Sequence, residues 1–279
     1  MTTEDGRWAT LNADLRLIKA LNFADDPQPY TWCDAEGSVH DKRNWSNRFA
    51  DACAHLVAPI ARAAISDLGG PSDLSVYPEL GGTAEKPVIL GEGSKKRIDV
   101  AVVHWLGGLR IDLSLKGMNF RGETGNYDHN LTGRTYELED EIRVVRQRQP
   151  AAFVFALYWL PILGGSDKAQ GDSSLARTVL HLRARVHKGP PGTARDPSRL
   201  DGGGVALYTP VETTTFGGEL IERGVVRCLD VLTDPPRRGR PQVETTLTLD
   251  ELIELWMRLY LDAMGVVRPD WADPEPEST

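Results

Sequence analysis

Asp99, Asp112, Ser114 and Lys116 are the residues of this chain whose types and spacing best suit chemistry. In the segment GLRIDLSLKG (108–117) polar and apolar residues alternate. A strand here sets Asp112, Ser114 and Lys116 on one face and Leu113 and Leu115 on the other. Upstream, Asp99 interrupts the apolar run of RIDVAVV. An acid and a lysine on adjacent strands of an apolar sheet are costly to bury unless they are paired or bound to a metal. A carboxylate can hold a divalent cation, and the lysine can then orient an attacking water or help to deprotonate it. The competing reading is a plain salt bridge at a sheet edge. No Cys/His or Ser/His arrangement competes for a nucleophilic role. The three cysteines, Cys33, Cys53 and Cys228, lie far apart and lack metal-ligand spacing.

The elements that must position these residues follow from periodicity. Residues 8–22 have the spacing of a short helix, and 23–42 read as an Asp-, Pro- and Gly-rich loop. From Trp45 to Leu68, Phe49, Cys53, Leu56, Val57, Ile60 and Ile65 recur at helical spacing. That predicts a long helix, kinked at Pro59 and ended by Gly69-Gly70-Pro71. Three strands are expected next: a short one around Val88-Ile89-Leu90, then KKRIDVAVVHWL, then GLRIDLSLKG. Gly107-Gly108 gives the hairpin break between the last two. In the third strand Leu109, Ile111, Leu113 and Leu115 are expected to share a face. A polar loop spans Met118 to Gly133, and TYELEDEIRVVRQRQ reads as a helix with acids first and arginines last, an order that suits the helix dipole. Pro150 stops it, and AAFVFALYWLP is apolar enough for a buried central strand.

The order to Pro161 is thus α–β–β–β–α–β. Beyond it, ARTVLHLRARVHK fits strand or helix, while VALYTPV and RGVVRCLDVLT read as strands. TLTLDELIELWMRLYLDAMG is a long amphipathic helix capped by Thr248 or Asp250, and 270–279 form an acidic, Pro-rich tail expected to fray.

This order, with Asp99 on the second strand and x-x-Lys at the end of the third, resembles the PD-(D/E)XK nuclease superfamily of restriction, repair and phage-defence nucleases. The resemblance covers roughly residues 43–161. It implies an α/β fold: a restriction-endonuclease-like αβββαβ core with a central mixed sheet flanked by helices, extended by C-terminal strands and the long terminal helix. The whole of 1–279 is read as one nuclease-like domain, in which 162–279 serve DNA contact or dimerisation. Asp99 takes the family's Asp position and Lys116 its Lys position. The acid expected two residues before the lysine is here Ser114. Some restriction enzymes of the superfamily share Ser-x-Lys and draw the missing carboxylate from the following helix. Glu137 and Glu141 are the candidates there, with Glu137 preferred as nearer the helix start, and Asp112 is a third. Glu139 lies on the other side of that helix. Mg²⁺, for which Mn²⁺ can substitute, is then held by Asp99 with one of Glu137, Glu141 or Asp112.

After Lys116 the loop supplies Asn119, Arg121, Asn126, Tyr127, His129, Asn130 and Arg134, donors suited to phosphates and base edges. PPRRGRP places Arg237, Arg238 and Arg240 on a stiff basic arm that could reach a groove, or a solvated turn. Residues 176–199 hold six lysines and arginines against one acid, and 93–148 ten against eight. The formal charge of −8 comes mostly from Gln242–Thr279, with nine acids and two bases, so it does not exclude a nucleic-acid partner. The tryptophans and tyrosines are expected in the core or a dimer interface. The terminal helix carries a wide apolar stripe, Leu249, Leu252, Ile253, Trp256, Leu259 and Tyr260, that covers the sheet or serves a homodimer.

No apolar run reaches the length of a membrane span, and the N-terminus lacks the basic start and apolar stretch of a secretory signal, so a reduced, cytoplasmic setting is expected. The expected function is a Mg²⁺-dependent endonuclease of double-stranded DNA, of restriction or phage-defence type. The alternative is a non-cleaving nuclease-fold module that binds nucleic acid or a partner protein.

Overall fold

The computed structural model describes residues 32–33, 39–40, 42–79, 88–91, 94–188, 196–208, 212–216, 219–223 and 226–265. The readings for 8–22, most of 23–42 and the tail beyond 265 therefore lie outside the described residues. Nine consecutive buried residues, Phe153–Pro161, give the central strand that the apolar run AAFVFALYWLP predicts. Around it the elements follow as α1 (Lys42–Asp67), β1 (Leu74–Tyr77), β2 (Val100–His104), β3 (Gly108–Gly117), α2 (Leu131–Arg148), β4 (Phe153–Pro161), α3 (Ser174–Arg183), β5 (Gly202–Tyr208), β6 (Val226–Asp230) and α4 (Leu249–Ala263).

These strands form one open, mixed sheet in the order β6-β5-β4-β3-β2-β1. The β1–β2, β2–β3 and β5–β6 pairs are antiparallel, and β3–β4 and β4–β5 are parallel. Each parallel connection carries a helix, α2 or α3, as a crossover requires. The fold is therefore α/β, a six-stranded mixed sheet flanked by helices. Among the described residues no helix is long and apolar enough to cross a membrane.

Alternation along β4 divides the core in two. Phe153, Phe155, Leu157 and Trp159 pack with α1 and α4, through Phe49, Val57, Ile65, Leu252 and Trp256 among others. Val154, Ala156, Tyr158 and Leu160 face α2 and α3, through Leu138, Ile142, Val145, Leu175 and Val179. The stripe of α4 is spent inside the molecule: Leu249, Leu252, Ile253, Trp256 and Tyr260 are buried on the sheet, and Leu259 is half exposed. Thr248, not Asp250, caps α4, in a capping box with Glu251. Close approach of α4 to β5 depends on Gly204, where a Cβ would stand 2.7 Å from Leu252 Cδ2.

Two local expectations need correction, and one open reading is decided. Among the described residues the strand at Val88–Gly91 pairs with Ser94–Arg97 alone, as a separate hairpin, and the first strand of the sheet is Leu74–Tyr77. In LSVY one residue is fully buried, so this edge strand lacks the apolar run by which interior strands are recognised. The ambiguous segment after residue 173 is helical, with Ser173 accepting from Ala176 N–H at the N-cap. Leu109 does not share a face with Ile111. The register jumps between Val102 and Val103, leaving Arg110 as the extra residue of a bulge, so Leu109 joins the α2 side while Ile111, Leu113 and Leu115 face α1.

After β6 the chain straps along α3. At one end Arg183 donates to the carbonyl of Thr233 at 2.6 Å and pairs with Asp234 at 2.7 Å. At the other, Ser173 N–H donates to Arg237 O at 2.8 Å, and Gly239 N–H to Gly165 O at 2.6 Å. The strap carries residues 237–240 back to the C-terminal end of β4.

Candidate functional site

Past its bulge β3 has regular alternation, which presents Asp112, Ser114 and Lys116 to the face covered by α2. In register, Asp112 lies between Ala101 of β2 and Val154 of β4, Ser114 beside Ala156, and Lys116 beside Tyr158. Asp99 immediately precedes Val100, the partner of Leu113, and its Oδ2 accepts a hydrogen bond from Leu115 N–H at 2.8 Å. That bond ties the acid of one strand to the backbone next to the lysine of the other.

Lys116 Nζ donates to Glu141 Oε2 at 2.7 Å, and the two side chains are 12% and 3% exposed. Burial works against the Lys116 ammonium. The carboxylates of Glu141, Asp99 and Asp112 outweigh it and hold the lysine above its ordinary range. Three acids from three elements thus bear on one buried cation. Ser114 is fully buried, and its Oγ has no hydrogen-bond partner among the described residues. Tyr158, fully buried beside Lys116, has its phenol pushed up to about 12 by burial, with the Lys116 charge working in the opposite direction.

Glu137 stands apart from this cluster. It is more than half exposed and pairs with Arg134 at 2.8 Å. The preference for Glu137 assumed that the helix starts near Thr135, but α2 starts at Leu131 with no acid in its first turn. Its buried stripe runs through Leu138, Glu141, Ile142 and Val145, so helical phase draws Glu141 to Lys116 and leaves Glu137 outside. The structure therefore brings together Asp99, Asp112, Ser114, Lys116 and Glu141.

Among the described residues no group of three acidic, histidine or cysteine side chains could hold a metal ion. Two carboxylates, Asp99 and Glu141, flank the lysine, and the hydroxyl of Ser114 is orphaned on the same face. That donor set is all oxygen. It fits an ion such as Mg²⁺, which takes one or two carboxylates and completes its shell with water and substrate phosphate.

The expected DNA-contacting residues divide by burial. Asn119 is buried, and its Oδ1 accepts from Tyr208 O–H at 2.8 Å. Tyr127 is buried too, with the Arg121 guanidinium 5.3 Å above its ring and Arg121 Nε donating to its hydroxyl at 3.2 Å. Asn126 accepts from Thr124 Oγ1 at 2.5 Å, while His129 and Asn130 are exposed. The basic arm lies docked rather than free. Arg237 pairs with Asp172 at 2.9 Å, Arg238 donates to the carbonyl of Ala169, and Arg240 is exposed.

Sequence reasoning missed Lys168 and took Arg177 only as part of the basic run 176–199; together, beside this arm, they clamp the buried Asp128 carboxylate at 2.7 and 2.6 Å. A buried acid in the loop after Lys116 was the available signal, but nothing in the sequence links residues 128, 168 and 177. Compared with known proteins, the chain matches no family model, no curated protein and no solved structure.

Proposed function

We propose that this chain is a Mg²⁺-dependent DNA endonuclease of restriction or phage-defence type, with Lys116 and its carboxylates as the hydrolytic centre. The observation that carries the reading is the buried Lys116 paired with Glu141 of the following helix, next to Leu115, whose N–H binds the Asp99 carboxylate ahead of the neighbouring strand. Support also comes from the order α1–β1–β2–β3–α2–β4, which agrees with the element order on which the nuclease resemblance rests. In this reading Glu141 supplies the acid that Ser114 does not.

When bound by Asp99 and Glu141, the ion supplies Lewis acidity to a phosphodiester oxygen and acidifies water. The chain's own residues do the rest. Leu115 N–H fixes the Asp99 carboxylate. Lys116, given up by Glu141, turns its ammonium to the phosphoryl oxygens, where charge develops as water attacks phosphorus in line and the 3′-oxygen leaves. Asp112 helps to keep that ammonium charged, and the Ser114 hydroxyl is free to donate to a phosphate or bound water. Lys168, Arg177, Arg237, Arg238 and Arg240 are read as backbone contacts of a duplex. A palindromic target would call for a two-fold dimer.

The test is cleavage of supercoiled plasmid with Mg²⁺ or EDTA. Wild type is expected to nick or linearise DNA only with the metal, and Lys116→Ala to lose at least about 100-fold in rate. Cleavage that survives Lys116→Ala sinks the mechanism. A second reading, a binding module without cleavage, is favoured by Ser114 at the acid position. It predicts DNA retention by wild type with no cleavage under any divalent ion.

A further inference from the structure

A cleft of about 730 Å³ lies among the second half of α2, the chain after α3 and residues 197–199. Arg143, Arg146, Arg185 and Arg199 line it, and Ile142, Ala184 and Pro197 add an apolar lining. Among the described residues Glu139 is the one carboxylate in that lining.

The four arginines are held in two ways. Arg146 is fixed: its buried side chain donates to the Asp201 carboxylate at 2.7 Å and to Arg199 O at 3.0 Å. The others pair at the surface, Arg143 with Asp140 at 2.6 Å, Arg185 with Glu139 at 2.9 Å and Arg199 with Asp196 at 3.2 Å. Ion pairs at the surface contribute little, so a ligand of higher charge can take over these guanidinium forks at small cost. Each of the four is matched by one carboxylate, so the guanidinium charge becomes available as those surface partners are displaced. His181, whose carbonyl accepts from Arg185, has its ring pKa lowered by burial and then by Arg185 and Arg177, against the pull of Glu139.

We propose that this cleft binds a phosphate-bearing small molecule of the nucleotide class. Its phosphates engage Arg143, Arg185 and Arg199, and its flat ring lies on the exposed Ala184 and Pro197. Planar forks suit phosphate oxygens in bidentate fashion, and the volume falls in the range of small-molecule sites, about 300–1,000 Å³. The site does not depend on the nuclease reading. It lies along the second half of the helix that carries Glu141, so the ligand touches the element that completes the Lys116 cluster.

The experiment is isothermal titration of the full chain with ATP or pyrophosphate in EDTA, which removes divalent ions from the Lys116 site. ATP is expected to bind at least about tenfold more tightly than pyrophosphate, because only ATP carries a ring to bury. Arg143→Ala and Arg185→Ala each weaken ATP by about tenfold or more, the loss of one charge-assisted hydrogen bond. Glu139→Ala tightens it, because Arg185 loses its competing carboxylate, and a gain of affinity cannot come from misfolding. Arg258→Ala, remote on α4 and paired with Glu254, serves as the unaffected control. The proposal is overturned by absence of binding at millimolar ATP, by ATP affinity that both arginine variants leave unchanged, or by equal affinity for pyrophosphate and ATP.

Discussion

Lys116 and Glu141 form a pair whose two members cannot be removed independently. Deleting the carboxylate leaves a buried ammonium, and breaking a buried pair from one side costs about 3–5 kcal/mol. Glu141→Ala is therefore expected to lose about 3 kcal/mol in urea unfolding. Glu137→Ala, which frees only the surface partner Arg134, should stay within about 0.5 kcal/mol. Equal effects of the two would place the wrong glutamate in the cluster. Tyr158 gives a separate alkaline signature. Its folded-state pKa, about 12, lies above the unfolded value of 10, so its contribution is complete below pH 10 and is lost as pH rises toward 12. Wild type should lose on the order of 2 kcal/mol more than Tyr158→Phe between pH 9.5 and 11.5, measured by chemical denaturation. The residues of this cluster were legible in the sequence because polar groups on an apolar strand stand out. The choice between Glu137 and Glu141 was not. Both lie on one side of a helix, and which of them is buried depends on where α2 starts, which the polar loop before it conceals.

Among the elements, the strap over α3 rests on contact between two glycines. A Cβ on Gly165 would stand 2.5 Å from the carbonyl oxygen of Gly239, a backbone atom that cannot swing aside. Gly165→Ala should therefore lift residues 237–240 from the loop after β4, at a cost of about 1–3 kcal/mol. Limited trypsin digestion reads this out: cleavage after Arg237 or Arg238 should quicken several-fold before the sheet is attacked. Unchanged digestion would mean that the arm is held by its side chains. Arginines between prolines were visible in the sequence as a basic arm. Its docking was not, because the bonds at Ser173 and Gly165 are backbone bonds between distant segments. The long apolar strand and the two amphipathic helices α1 and α4 were readable because their periodicity extends over many residues. The edge strand β1 escaped because four residues, one of them buried, carry too little pattern.

For the whole molecule, an acidic helix and the basic cluster stand apart. Helix α4 carries four acids and one arginine and lies on the opposite side of the sheet from α2 and Glu141. Lys168, Arg177, Arg237 and Arg238 are tied to Asp128, Ala169 and Asp172, in the segments that follow β3 and β4. If a duplex lies across those segments, binding should weaken steeply with salt. Five phosphate contacts give a slope of roughly −4.5 in log K against log salt concentration. Arg237→Ala combined with Arg238→Ala should lower the slope by about 2, measured by fluorescence anisotropy with a labelled duplex. A slope unaltered by the double change would move the duplex to another surface.

The bulge at Arg110 absorbs one residue without disturbing the pairing on either side of it. Val102 pairs with Ile111 and Val103 with Leu109, so the strand alternates as if Arg110 were not counted. Losing Arg110 would close the bulge and leave Leu113, Leu115 and Lys116 on the faces they hold. A residue lost or gained between Ile111 and Lys116 would instead exchange faces from that point to the lysine, because side chains alternate. The hairpin thus has a reading frame, and Arg110 is a position at which a residue can be dropped without a frameshift.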